Sequence, residues 1–218
     1  MVEGAPEPSG TGQMVTVGDT LLESMVKSTT RLLPFSNSNG ATMLLYKKLS
    51  CENYAEINQQ ILQFVESKNL HTSTEQFWNP VDALEFIKSV PLFNAWLRQH
   101  NLKLHTVAVT VGNKVNCCPI HTDTPPAVNK LSWPILNTKN TFNRWFQSRV
   151  DTPKVVVNSL GGRSYVDINE LEQIGEMEVT EPCIINAGIP HDVWFPDSAQ
   201  AVFPRIGLQC KILPEPVL

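Results

Sequence analysis

His121-Thr122-Asp123, with a lone His191 and an Arg205 farther along, are the residues of this chain best suited to chemistry. Two residues apart on an extended segment, His121 and Asp123 point to the same side. Two neutral imidazoles and one carboxylate suit Fe(II), and also Mn, Co or Zn, and as three ligands on one side of an ion they leave positions open. His191 lies far too distant along the chain for a helical zinc motif, whose ligands recur within a turn or two. It follows Ile189-Pro190, where a rigid turn aims it inward at the start of a strand. Arg205 sits in the otherwise apolar run Val202-Phe203-Pro204-Arg205-Ile206-Gly207-Leu208. A buried arginine needs a carboxylate partner, either a structural ion pair or a bound acid that its planar fork matches.

Ligands this far apart must be brought together by strands. From Leu102 to the C-terminus the sequence reads as strands and turns: 103–111, 131–138, 142–147, 154–159, 163–167, 177–180, 182–186, 191–195 and 201–212. Pro134 inside one of them implies an edge or a bulge. Residues 138–141 read as a hairpin loop, Gly161-Gly162 as a tight hairpin and Asn186-Ala187-Gly188 as a turn. His105 shares a strand with Val107, Val109 and Val111 and is expected to be a core or surface residue rather than a ligand.

The first half differs. Residues 1–14, rich in Gly, Pro, Glu and Ser, read as a flexible tail. Leu21, Leu22, Met25 and Val26 fit one face of a short helix, the Ser36–Gly40 loop breaks the chain, and 41–49 reads as a first strand. A helix is expected over 51–67, capped by Ser50, with Tyr54, Ile57, Ile61, Phe64 and Val65 at helical spacing. Asn79-Pro80 is expected to open a second helix carrying Val81, Leu84 and Ile87. Pro91 opens a third, with Leu92, Trp96 and Leu97 on one face. The expected fold is therefore mostly β with flanking helices (α+β), a double-stranded β-helix or jelly-roll core of about eight strands. A single domain would span 15–218, with helical support over 51–101 and the β core over 102–213.

The chain of 218 residues is 42% hydrophobic and 17% charged, as expected of a globular protein. Its net charge is −4 and it holds no long basic run, so nothing favours nucleic-acid binding. Five cysteines without regular spacing (Cys51, Cys117, Cys118, Cys183, Cys210) read as free thiols in a reducing compartment. The first residues have neither the basic region nor the apolar core of a signal peptide, and no apolar run approaches a membrane span. A soluble, cytoplasmic protein is expected.

These residues carry a resemblance. His121-Thr-Asp123, the strand Ser132–Asn137 with Asn140–Trp145 after it, His191 and Pro204-Arg205-Ile206 occur in the order found in the Fe(II)/2-oxoglutarate-dependent dioxygenase superfamily. The chain resembles divergent members from phage and environmental genomes, over roughly residues 102–213. The resemblance implies Fe(II) held by His121, Asp123 and His191, and 2-oxoglutarate with its far carboxylate on Arg205. It implies conversion of 2-oxoglutarate to succinate and CO2 with hydroxylation of a substrate C–H. Such families often carry Ser or Thr two residues after the arginine; here it is Gly207, which removes a hydroxyl contact. Asn137 is a further candidate for contact with the cosubstrate or a ligand, and Arg144 for substrate binding or a solvent-facing role. Trp133, Trp145, Trp194 and Phe195 would serve as core or line a pocket mouth. The competing readings are a non-catalytic jelly roll, structural or ligand-binding, and a cupin-like metalloenzyme that does not use 2-oxoglutarate.

Overall fold

The first sheet is covered on one face by helices whose apolar stripes explain both their existence and their docking. In the computed structural model, which describes residues 44–72, 77–115, 118–123, 129–157, 162–196 and 200–213, three α-helices precede most of the strands. Helix α1 (Tyr54–Ser67) buries Ile57, Ile61, Phe64 and Val65, the spacing of one helical face. It begins after Asn53, not at a Ser50 cap. Ser50 is held elsewhere, its carbonyl accepting from Trp96 Nε1 at 3.0 Å.

Residues Trp78–Val81 form strand β2, which corrects the expectation that Asn79-Pro80 opens a helix. Proline lacks an amide hydrogen, so it fits a helix's first turn or the edge of a sheet equally well. Here β2 lies at the sheet edge. Asp82 caps α2 (Ala83–Ser89) instead, accepting from the Glu85 amide at 2.7 Å. The later start turns Phe86 inward and leaves Leu84 exposed. Helix α3 (Pro91–Gln99) opens on proline as expected and buries Phe93, Trp96 and Leu97.

The strands, with β2 counted in chain order, are β1 (Tyr46–Lys48), β3 (Lys103–Gly112), β4 (Cys118–Thr122), β5 (Asn129–Leu136), β6 (Phe142–Ser148), β7 (Val155–Val157), β8 (Arg163–Tyr165), β9 (Leu171–Glu178), β10 (Cys183–Asn186), β11 (His191–Trp194) and β12 (Arg205–Leu213). Among the described residues they make two six-stranded sheets, β1-β10-β5-β12-β3-β2 and β7-β8-β4-β11-β6-β9. Every pairing is antiparallel.

Several expectations shift. Residues 138–141 do not close a hairpin: β5 and β6 lie in different sheets, and the chain crosses between them at the left-handed Asn140. Pro134 marks a bulge, since the register with β12 slips there, but β5 is central and not an edge. β7 and β8 pair as the Gly161-Gly162 hairpin requires, although Gly161 itself lies outside the described residues. The first-strand expectation survives as β1, while the expected tail and the helix around Leu21 to Val26 lie outside the described residues. No described helix is long and apolar enough to cross a membrane.

Strand periodicity separates two cores. Val107, Val109 and Val111 of β3, Leu131, Trp133 and Ile135 of β5, and Ile206, Leu208, Cys210 and Ile212 of β12 pack with the helices. The alternate residues of these strands face the other way. On that side Cys183 and Ile185 of β10 meet Trp145 of β6 and Met177 of β9, joining the two sheets. Tyr46 stacks on Trp145 there, with ring centroids 5.6 Å apart. His105 is exposed, because the register between β3 and β12 shifts just beyond Thr106. Cys51, Cys118, Cys183 and Cys210 are free thiols, and burial raises Cys183 to about 12.

Candidate metal centre

His121 lies near the end of β4 and His191 begins β11, and the two strands are neighbours in the second sheet. In their register His121 stands directly opposite His191. Residues opposite one another on adjacent antiparallel strands share a face, so the two imidazoles are forced together. Their ring centroids are 4.4 Å apart. Asp123 follows the strand, its amide bonded to the Ala187 carbonyl at 2.9 Å. One donor atom from each of His121, Asp123 and His191 lies within 4.8 Å of the others. The distant residues singled out in the sequence thus converge.

Both histidines are oriented by backbone. His121 Nδ1 lies 2.9 Å from the Pro119 carbonyl, and His191 Nδ1 lies 2.9 Å from the Ile189 carbonyl. A carbonyl only accepts, so each Nδ1 carries a proton and donates, which leaves Nε2 as the nitrogen of each ring placed to ligate a metal. A backbone carbonyl behind each ring is the usual support of a metal-bound histidine. The Cys118 thiol also sits 3.5 Å from His121 Nδ1. Burial, then the neighbouring His121, pushes His191 down to about 4, against the opposing pull of the Ile189 carbonyl and Asp123. His191 is therefore neutral at ordinary pH, the form that ligates metal.

The carboxylate has a second partner that the sequence did not suggest. Lys130 Nζ lies 2.5 Å from Asp123 Oδ2, while Oδ1 lies 4.0 Å from His121 Nε2. The ammonium also stands 5.1 Å from the centre of the Trp78 ring. Lys130 belongs to β5 in the first sheet, so this ion pair joins the sheets. The available signal was its parity: Leu131, Trp133 and Ile135 face the helices, which sends Lys130 the other way.

Arg205 is buried at the start of β12, opposite Gly112. Asn137 does not sit among the ligands' hydrogen-bond partners. Its backbone is left-handed, with φ 55°, and its amide donates to the Pro204 carbonyl at 2.8 Å, fixing the chain where Arg205 enters the sheet. Gly207 is closely packed: a Cβ there would stand 3.3 Å from Thr110 Oγ1 and 3.3 Å from the Trp133 carbonyl. The Thr110 hydroxyl donates to the Gly207 carbonyl at 3.1 Å, so a hydroxyl lies beside a position that lacks one.

Arg144 neither faces solvent freely nor is open for substrate. Its Nε donates to Asp192 Oδ1 at 3.0 Å and its Nη2 to Oδ2 at 2.5 Å, a two-pronged pair across β6 and β11. Its guanidinium lies 4.6 Å from the Trp194 ring centre and 5.3 Å from that of Phe146. Asp192 follows His191 in sequence, and its pair with Arg144 ties β11 to β6. Trp133, Trp145 and Phe195 are buried, and Trp194 is half-buried against Arg144.

The donor set fits a divalent metal. Two imidazole nitrogens and a carboxylate oxygen within a few ångströms are the ligands that Fe(II), Mn, Co and Zn accept. No protein-family model matches the chain, and no curated protein matches it in sequence. The class that fold and site define is therefore a two-sheet antiparallel β protein with flanking helices and a candidate metal centre.

Proposed function

We propose that the chain is an Fe(II)- and 2-oxoglutarate-dependent oxygenase, hydroxylating a substrate C–H bond while 2-oxoglutarate becomes succinate and CO2. The observation that carries this reading is the convergence of His121, Asp123 and His191, with both Nδ1 atoms committed to carbonyls and both Nε2 atoms left to bind. The topology supports it. The chain passes from sheet to sheet through β3, β4, β5 and β6, and again through β9, β10, β11 and β12. The strand order of the central runs β10-β5-β12-β3 and β4-β11-β6-β9 supports reading them as a jelly roll's two facing sheets.

Iron held there would supply the redox and dioxygen chemistry. The residues of the chain do the rest. His121 and His191 would present their Nε2 nitrogens, and Asp123 a carboxylate oxygen. Arg205, buried at the head of β12, offers a rigid fork to the far carboxylate of the cosubstrate. The apolar cluster of Trp145, Met177, Cys183 and Ile185 closes the sheets together and keeps water from that side.

Gly207 favours a second reading, a cupin-like metal-dependent enzyme that does not use 2-oxoglutarate, because the usual hydroxyl on residue 207 is missing. Anaerobic titration separates the two. The oxygenase reading expects a visible charge-transfer band when 2-oxoglutarate joins the Fe(II) protein, and slow succinate formation once air enters. Arg205→Ala should weaken cosubstrate binding about 10-fold or more with metal affinity retained. Iron binding without the band selects the second reading, and absence of metal binding selects a non-catalytic jelly roll.

A further inference from the structure

Asp123 is the one charged ligand of the candidate centre, and its two oxygens have different surroundings. Oδ1 is turned toward His121, with 4.0 Å to Nε2. Oδ2 is taken by Lys130 at 2.5 Å. Lys130 is only 15% exposed in its side chain, and its ammonium is backed by the Trp78 ring at 5.1 Å. It reaches Asp123 from the opposite sheet, on the face of β5 that alternates with Leu131, Trp133 and Ile135. A cation beside a divalent metal is repelled by it, so a lysine here is costly unless it does something for the carboxylate.

We infer that Lys130 is a positioning residue of the metal centre: by holding Oδ2 it makes Asp123 a ligand through Oδ1 alone. A carboxylate free at both oxygens can chelate a metal with both and so occupy an extra position. With Oδ2 on the ammonium that mode would be closed, leaving for an exchangeable ligand the position that a second oxygen would have filled. The same contact restrains the carboxylate's rotation just past the end of β4. Trp78 limits where the ammonium can go. This inference rests on the metal-centre reading, but not on 2-oxoglutarate as cosubstrate.

The test uses Co(II) as probe, with the full chain, calorimetry for affinity and the visible Co(II) spectrum for coordination. Lys130→Met should alter the Co(II) band, because Asp123 can then offer both oxygens, and should move Co(II) affinity about 10-fold or more from wild type. Lys130→Arg should return to within a few-fold of wild type. A merely structural cross-sheet pair would lower the melting temperature and leave the folded protein's Co(II) affinity and band unchanged; that result overturns the inference. Should Lys130→Met fail to fold, Lys130→Gln gives the same comparison. If wild type binds no Co(II), the metal-centre reading fails and this inference falls with it. If wild type binds, His121→Ala does not, and Lys130→Met matches wild type, only the inference about Lys130 fails.

Discussion

The two faces of the first sheet are made of different matter. Toward the helices it presents Val107, Val109, Val111, Leu131, Trp133, Leu208 and their neighbours, a largely apolar surface with Trp133 fully buried. Toward the second sheet the same strands carry Thr110, Ser132, Arg205 and Gly207, with Lys130 reaching across to Asp123. Burying polar groups costs free energy unless each is paired, whereas burying apolar ones is favourable. One face therefore stabilises the fold, and the other spends part of that stability on a site. In the second sheet the division repeats along β11: His191 turns inward, and the next residue, Asp192, goes to Arg144.

That contrast can be broken at either face. The largest expected effect is on the polar side: His191→Ala should remove measurable metal binding, a loss of at least about 100-fold, since one of three ligands is gone. Calorimetry with Co(II) reads it, and retention of wild-type affinity would mean the triad is not a metal site. Trp133→Ala tests the apolar side. It should cost about 3–5 kcal/mol in urea unfolding, from the emptied space and the lost bond from its Nε1 to Asn58 Oδ1 at 2.6 Å. Metal affinity of the protein that stays folded should not change. Loss of metal affinity without loss of stability would invert the division proposed between the faces.

A pH series sharpens the comparison. Burial lowers His191 to about 4 from an ordinary value near 6.5, so the unfolded chain takes up a proton first as pH falls. The metal-free protein should accordingly be most stable above about 6.5 and lose stability between there and about 4. His191→Gln should flatten this slope, and an unchanged slope would show that other groups set it. The smallest effect is expected at Gly207→Ala, where the new Cβ meets Thr110 Oγ1 and the Trp133 carbonyl at 3.3 Å. A loss of about 1 kcal/mol is expected, because the hydroxyl can turn aside and the backbone cannot. A larger loss, measured by thermal unfolding, would show that β3, β5 and β12 are packed more rigidly than these contacts imply.

Much of the architecture was legible because periodicity is local. The face of α1 and the alternation of β3 follow from residue spacing, and both lie where the spacing puts them, as does the Pro91 start of α3. Errors arose where one residue type satisfies two environments. Pro80 reads as a helix start and serves an edge strand; Pro134 reads as edge or bulge and is a bulge in a central strand. The loop at 138–141 has hairpin chemistry, yet its strands part to different sheets. Arg144 and Lys130 were obscure for another reason. Their partners, Asp192 and Asp123, are neighbours only through packing, and a charge in a sequence does not announce its counter-ion.

By itself the sequence determined the ligand types and their parity. His121 and Asp123, two apart, share a face of any extended segment, and Ile189-Pro190 suits a rigid turn that aims His191 inward at a strand's beginning. Tertiary structure decided the rest: that β4 and β11 are adjacent, that His121 falls opposite His191, and that a lysine from the other sheet reaches the acid. The physical reason is register. A slip of one residue between those strands would turn His191 to the outer face, and only the packing of both sheets, summed over contacts far apart in the chain, excludes that slip.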